Sequence, residues 1–152
     1  MIVSLITTVV IIVVDQLVKY WTVSQIPLRQ TRTGIPGLFN WTHIHNQGAG
    51  WGMFQGRIIF FILITLLFIA YILYLIYKNR QLPIYIHMTY GLLLGGAIGN
   101  LIDRIHLGYV IDMIQLSFIN FPVFNIADMS LTLSLMLLLC FTFWHPQGKD
   151  II

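Results

Sequence analysis

The sequence predicts an all-α integral membrane protein: four transmembrane helices with a small extracytoplasmic β element. Charged residues make up only 9% of its 152 positions, against about a quarter in soluble domains, and mean hydropathy is +0.85. Four apolar runs approach the roughly 20 residues that a helix needs to cross hydrocarbon. Between the first two runs lies a segment too long for a simple connector, and its alternation is that of a strand.

The first run, residues 2–21, lacks a basic leading region and is followed by no small-x-small cleavage site. It therefore reads as a retained membrane helix rather than a secretory signal. Residues 22–57 contain Pro27, Gly34, Pro36 and Gly37 and then LFNWTHIHNQGAGWGMF. In a strand, Leu38, Asn40, Thr42 and Ile44 share one face, and Phe39, Trp41, His43 and His45 the other. So aromatic a stretch suits the membrane interface. The second run, 58–77, holds no charge, and the short basic loop KNRQLP follows it. The third, 84–102, spaces Gly91, Gly95 and Gly99 along one helix face, which lets a neighbouring helix approach closely. Residues 103–126 include a second strand-like piece, GYVIDMIQLSF, before the last run at 127–144. There is no internal repeat, and the chain reads as one membrane domain over 1–152. By the positive-inside rule Lys78, Arg80 and Lys149 put both termini in the cytoplasm, against Arg29, Arg32 and Arg57 around the first long segment.

The net charge of +3 is scattered, with no basic run or face to suggest nucleic acid. Cys140, the single cysteine, lies in an apolar run; it excludes an internal disulfide and reads as a small buried apolar residue.

The five acids are all aspartates: Asp15, Asp103, Asp112, Asp128 and Asp150. With four crossings, the end of the first helix, the end of the third and the start of the fourth lie on one side. Asp15, Asp103 and Asp128 mark those ends and Asp112 lies between the last two, so four acids converge. Each has a structural reading. Asp15 and Lys19 are four apart on a helix and can pair. Asp103 with Arg104 can be a helix-end charge pair with Asn100 one turn back, and Asp128 can cap the last helix. Asp112, in the apolar stretch GYVIDMI, has no such partner, and a carboxylate there has a raised pKa. Should the chain fold back so that Asp112 meets Asp128, one holds a proton while the other stays charged. Such a pair can activate water and protonate a departing amine. A proton or ion transporter, or an accessory subunit, could also use membrane carboxylates as a relay, but a relay spreads its acids across the bilayer. Other chemistries lack their residues. His43 and His45 have no cysteine or glutamate to complete a zinc site, and HExxH, GxSxG, Walker and GxGxxG patterns are absent, as is Asp-Thr/Ser-Gly.

Four blocks make the pattern recognisable: DQLVK at 15–19, NQGAGWG at 46–52, GGAIGNLIDR followed by GYVID at 95–112, and FPVFNIAD at 121–128. The chain resembles the prolipoprotein (type II) signal peptidases, membrane-embedded aspartic endopeptidases of bacteria. The resemblance implies that a dyad of Asp112 and Asp128 cleaves diacylglyceryl-modified prolipoproteins before the lipidated cysteine. It implies supporting roles for Asp15, Lys19, Asn46, Gly48, Ala49, Asn100, Asp103, Arg104, Asn125 and Ala127. It calls for no metal and no organic cofactor. The expected partners are the lipidated precursor and membrane lipids, with the enzyme a monomer in the bacterial cell membrane and its site toward the extracytoplasmic face. Two departures stand out: Gly50-Trp51 where the family usually has Ala-Phe, and Met113 where an aromatic residue is common.

Overall fold

The structure, a computed structural model, describes residues 1–48 and 53–144. It is mostly helical: α1 (Ile2–Gln25), β1 (Thr31–Ile35), β2 (Phe39–Asn46), α2 (Ile58–Lys78), α3 (Ile84–Leu107), β3 (Val110–Leu116) and α4 (Ile126–Trp144). Among the described residues, α1, α2 and α4 are long and apolar enough to cross a membrane.

α1 is built inside out. Ser4, Thr8, Asp15, Lys19 and Thr22 recur at helical spacing and are buried, while Leu5, Val9, Val13 and Leu17 face outward. Burying the polar stripe suits lipid surroundings, where outward polar groups find no water. α3 is the centre of the bundle and packs against α1, α2 and α4. It is less apolar than its neighbours because they shield it; its Tyr90, Leu93 and Leu94 form a core with Ile72 and Leu75 of α2 and Leu138 of α4.

The predicted glycine face is the α1–α3 contact. A Cβ on Gly91 would lie 2.6 Å from the Ser4 carbonyl oxygen, and one on Gly95 2.7 Å from the Ile11 Cβ. Gly96, not part of that stripe, does the same toward α4, 2.5 Å from the Ala127 carbonyl oxygen.

The three strands form one antiparallel sheet in the order β1-β2-β3, at the end of the bundle where α1 and α3 finish and α2 and α4 begin. β2 and β3 are the two strand-like stretches seen in sequence. β1 was not expected. Pro36 and Gly37 make the tight turn that returns it to β2: Leu38 donates to the Ile35 carbonyl at 3.0 Å, and Gly37 has φ 77°, as a type II turn demands.

α1 and α3 run four to five residues beyond their expected ends, reaching Gln25 and Leu107. Asp103 does not end α3, because its charge is neutralised inside the bundle; the helix stops at Gly108 in the left-handed conformation. Cys140 corrects another expectation. It is exposed on the outer face of α4 rather than buried, because an apolar residue in a membrane helix is as well placed against lipid as against protein.

Gly91→Val should separate α1 from α3. We expect a loss of about 1–3 kcal/mol, read as a lowered unfolding midpoint in detergent; an unchanged midpoint would mean that this contact is not close.

Candidate active site

Lys19 is fully buried on α1 and bridges two acids, Asp15 and Asp103, each with an oxygen 2.8 Å from its Nζ. It also donates to Asn100 Oδ1 at 3.2 Å. The expected Asp15–Lys19 pair is present, but the Asp103–Arg104 pair is not: successive helical residues point apart, so Asp103 turns inward to Lys19 while Arg104 turns toward a groove. Each acid uses a second oxygen or lone pair on backbone. Asp15 accepts the Ala127 N–H at 2.9 Å, at the start of α4. Asp103 accepts the Ile111 N–H at 3.1 Å, at the start of β3. Gln16, which the sequence reading passed over, donates to both carboxylates and to the Gly99 carbonyl. A polar side chain in an apolar run beside Asp15 was its available signal.

From this ion cluster an amide chain leads to the other two acids. Asn100 donates to Asp128 Oδ1 at 2.8 Å. Asn125 donates through Nδ2 to Asp112 Oδ1 at 2.7 Å and to Asn100 Oδ1 at 3.0 Å. Its Oδ1 accepts the Asp128 N–H at 2.8 Å, while Asp128 Oδ2 accepts the Asn125 N–H at 3.3 Å. Asp128 is therefore not the helix cap. Asn125 is, and Asp128 is its reciprocal partner three residues on, a capping box. Asn46 on β2 donates to Asp112 Oδ2 at 2.9 Å and accepts the Gly48 N–H at 2.9 Å. Arg104 donates to the Gly48 carbonyl at 3.4 Å and lies over the Phe61 ring, 4.9 Å from its centroid. Phe61, on α2, is a further wall residue that no motif marked.

Asp112 and Asp128 thus meet at one end of a groove of about 870 Å³, with Asn46, Asn100 and Arg104 beside them and apolar side chains of α2 and α4 beyond. Burial pushes Asp112 up to about 7; the charge of Asp128 adds to the rise, and the Asn46 and Asn125 amides oppose it. Of the twelve positions expected at the site, eleven fall on this network or directly against it, Ala127 through its N–H. Ala49 and the Gly50-Trp51 departure lie outside the described residues. Met113 is fully buried behind Asp112 and does not line the groove.

His43 and His45 share a face as expected, their rings 5.1 Å apart. His43 is buried with Nδ1 2.8 Å from the Ile26 carbonyl oxygen, and His45 stacks on Tyr109. Burial, with the charges of His43 and Arg29, lowers the His45 pKa.

Residues 7–144 match the family described as signal peptidase (SPase) II. The chain belongs to the signal peptidase II family. Among similar proteins, a lipoprotein signal peptidase of Streptococcus thermophilus is 42% identical over 135 residues, covering 89% of this chain and 88% of the relative. One from Enterococcus faecalis is 45% identical over 122 residues, covering 80% and 76%. A bacterial membrane enzyme solved by the in meso method at 1.9 Å superposes with a TM-score of 0.86 at 33% identity, covering 93% of each chain. As a signal peptidase II the chain is an aspartic peptidase and a bacterial membrane protein, and buried aspartates at a groove accord with that chemistry.

Lys19→Met should leave Asp15 and Asp103 buried without their counter-charge. We expect a loss of roughly 3–5 kcal/mol, and a triple variant that also carries Asp15→Asn and Asp103→Asn should recover much of it. Equal stability of the single and triple variants in detergent unfolding would contradict the ion-cluster account.

Proposed function

We propose that this signal peptidase II removes signal peptides from diacylglyceryl-modified prolipoproteins, with Asp112 and Asp128 as the water-activating dyad. The observation that carries the reading is that Asn125 holds both carboxylates at the polar end of a mostly apolar groove, Asp112 through its side-chain amide and Asp128 through its backbone N–H. Two acids held together share one proton and titrate as a unit. The ionised member takes a proton from water as its oxygen attacks the scissile carbonyl. The protonated member gives its proton to the departing amine of the lipidated cysteine. Arg104 holds the Gly48 carbonyl and sits where a substrate backbone would pass, whereas Asp15, Lys19 and Asp103 fix the elements that carry the dyad.

We further read α3 as a fourth crossing. It is 24 residues long, matching α1, and all three membrane-length helices pack against it. The sheet end then faces outward, where an exported precursor presents its cleavage junction, and exposed Lys78 and Arg80 mark the cytoplasmic end. We read the chain as a monomeric, single-domain enzyme, since the three strands form one sheet and all four helices pack through α3.

Asp112→Asn and Asp128→Asn, made separately, should each lower cleavage of a lipidated precursor in detergent by at least about a hundredfold. Wild-type rates in both would end the dyad assignment. Because Asp112 titrates near 7, the shared proton is present below that pH and lost above it. Log kcat/KM should therefore fall with rising pH on a limb of slope −1 beginning near 7; a profile flat to pH 9 would count against a shared proton.

A further inference from the structure

The groove is not uniformly apolar past the dyad. Thr132 on α4 and Thr65 on α2 both line it. Thr132 is four residues beyond Asp128, and Thr65 is four residues beyond Phe61, whose ring holds the Arg104 guanidinium. Both helices start at the sheet end, so each hydroxyl lies one turn, about 6 Å, inward of the polar end. Beyond them the lining returns to Phe68, Leu135 and Met136.

Neither hydroxyl has a hydrogen-bond partner among the described residues. Thr7, packed against Gly91 at the α1–α3 contact and away from the groove, shares this state, but the other described helical threonines do not. Thr8, Thr22, Thr89 and Thr142 all satisfy themselves by donating to the carbonyl four residues back. An unsatisfied hydroxyl facing hydrocarbon is costly, and the same helical back-bond is open to Thr65 and Thr132 by position. Two hydroxyls with no protein partner, each one turn inward on a wall of the same groove, can turn from that back-bond to an incoming acceptor.

A diacylglyceryl cysteine supplies acceptors at that depth. Six bonds separate its backbone nitrogen from the first ester oxygen, through the thioether, which is roughly 7 Å of reach. The zones of the groove follow the zones of such a ligand: charged groups at the peptide bond, hydroxyls at the esters, apolar walls at the acyl chains. We propose that Thr65 and Thr132 form an ester-recognition subsite, donating to the ester oxygens of the substrate's diacylglyceryl group and so setting the depth at which the scissile bond meets the dyad. The subsite rests on the prolipoprotein reading given above. It makes the two threonines positioning residues that select ester-linked over ether-linked lipid.

The test compares two synthetic precursors of identical peptide, one carrying a diacylglyceryl (ester) and the other a dialkylglyceryl (ether) cysteine, with the full-length enzyme in detergent. Wild type should show a lower KM for the diester. Thr65→Val and Thr132→Val should each shrink the diether-to-diester KM ratio about three- to tenfold, the double variant should bring it close to one, and Thr→Ser at either position should restore it. A ratio that survives both valine substitutions overturns the subsite, as does an equal loss on both precursors, which would mean only lost packing. Should wild type cleave neither precursor, the prolipoprotein reading itself fails and the subsite with it; cleavage of both without discrimination removes the subsite alone.

Discussion

The bridge from Lys19 to Asp15 and Asp103 is the interaction on which the arrangement turns. A buried cation between two carboxylates adds little net stability over an apolar isostere, because desolvation offsets attraction. Its effect is geometric. With one acid committed to the N–H that opens α4 and the other to an N–H at the start of β3, a single ammonium fixes four elements against one another. The two elements held on the far side of those acids are the ones that bring Asp128 and Asp112. The amides of Asn100 and Asn125 then carry the same order outward from the ion cluster to Asp112 and Asp128. Fully satisfied buried networks of this kind specify one arrangement, because any slip strands a charge.

That polar spine explains why the bundle looks reversed beside a soluble protein. Polar side chains of α1 turn inward onto α3, glycines bring the backbones close enough for Thr8 to reach the Gly91 carbonyl, and branched aliphatics turn outward. α2 is held differently, through the apolar core at the end of the bundle remote from the sheet. Close packing at one end and a groove at the other leave α2 and α4 as walls rather than a sealed pair.

Much of this was legible in the sequence because hydrophobic length and charge position are strong signals in lipid. The helix spans, the convergence of Asp15, Asp103, Asp112 and Asp128, and the two longer strands follow from them. β1 was not legible: Thr-Arg-Thr-Gly-Ile has weak alternation, and pairing with β2 makes it a strand. Which of Asp103 and Arg104 turns inward depends on the rotation of α3 against α1, and a pattern of residue types does not encode that rotation. The role of Asn125 was obscured by Asp128, since both are good caps and only the reciprocal bonds distinguish them. Cys140 shows the opposite failure. Apolar periodicity separates inside from outside in water, but not in hydrocarbon.

The capping box has a consequence for the working cycle. Asp128 Oδ2 holds the backbone N–H that starts α4, so a proton arriving on that oxygen loosens the first turn of the helix, and its departure tightens it. Thr132 stands one turn farther along the same helix. Under the proposed assignment, the acid at the peptide bond and the hydroxyl at the lipid are coupled through one helix turn, so the proton's arrival and departure are felt at both. Any group at position 128 that lacks an acceptor oxygen therefore frees the start of α4, whereas Asp112 sits on a strand whose neighbours hold it in place.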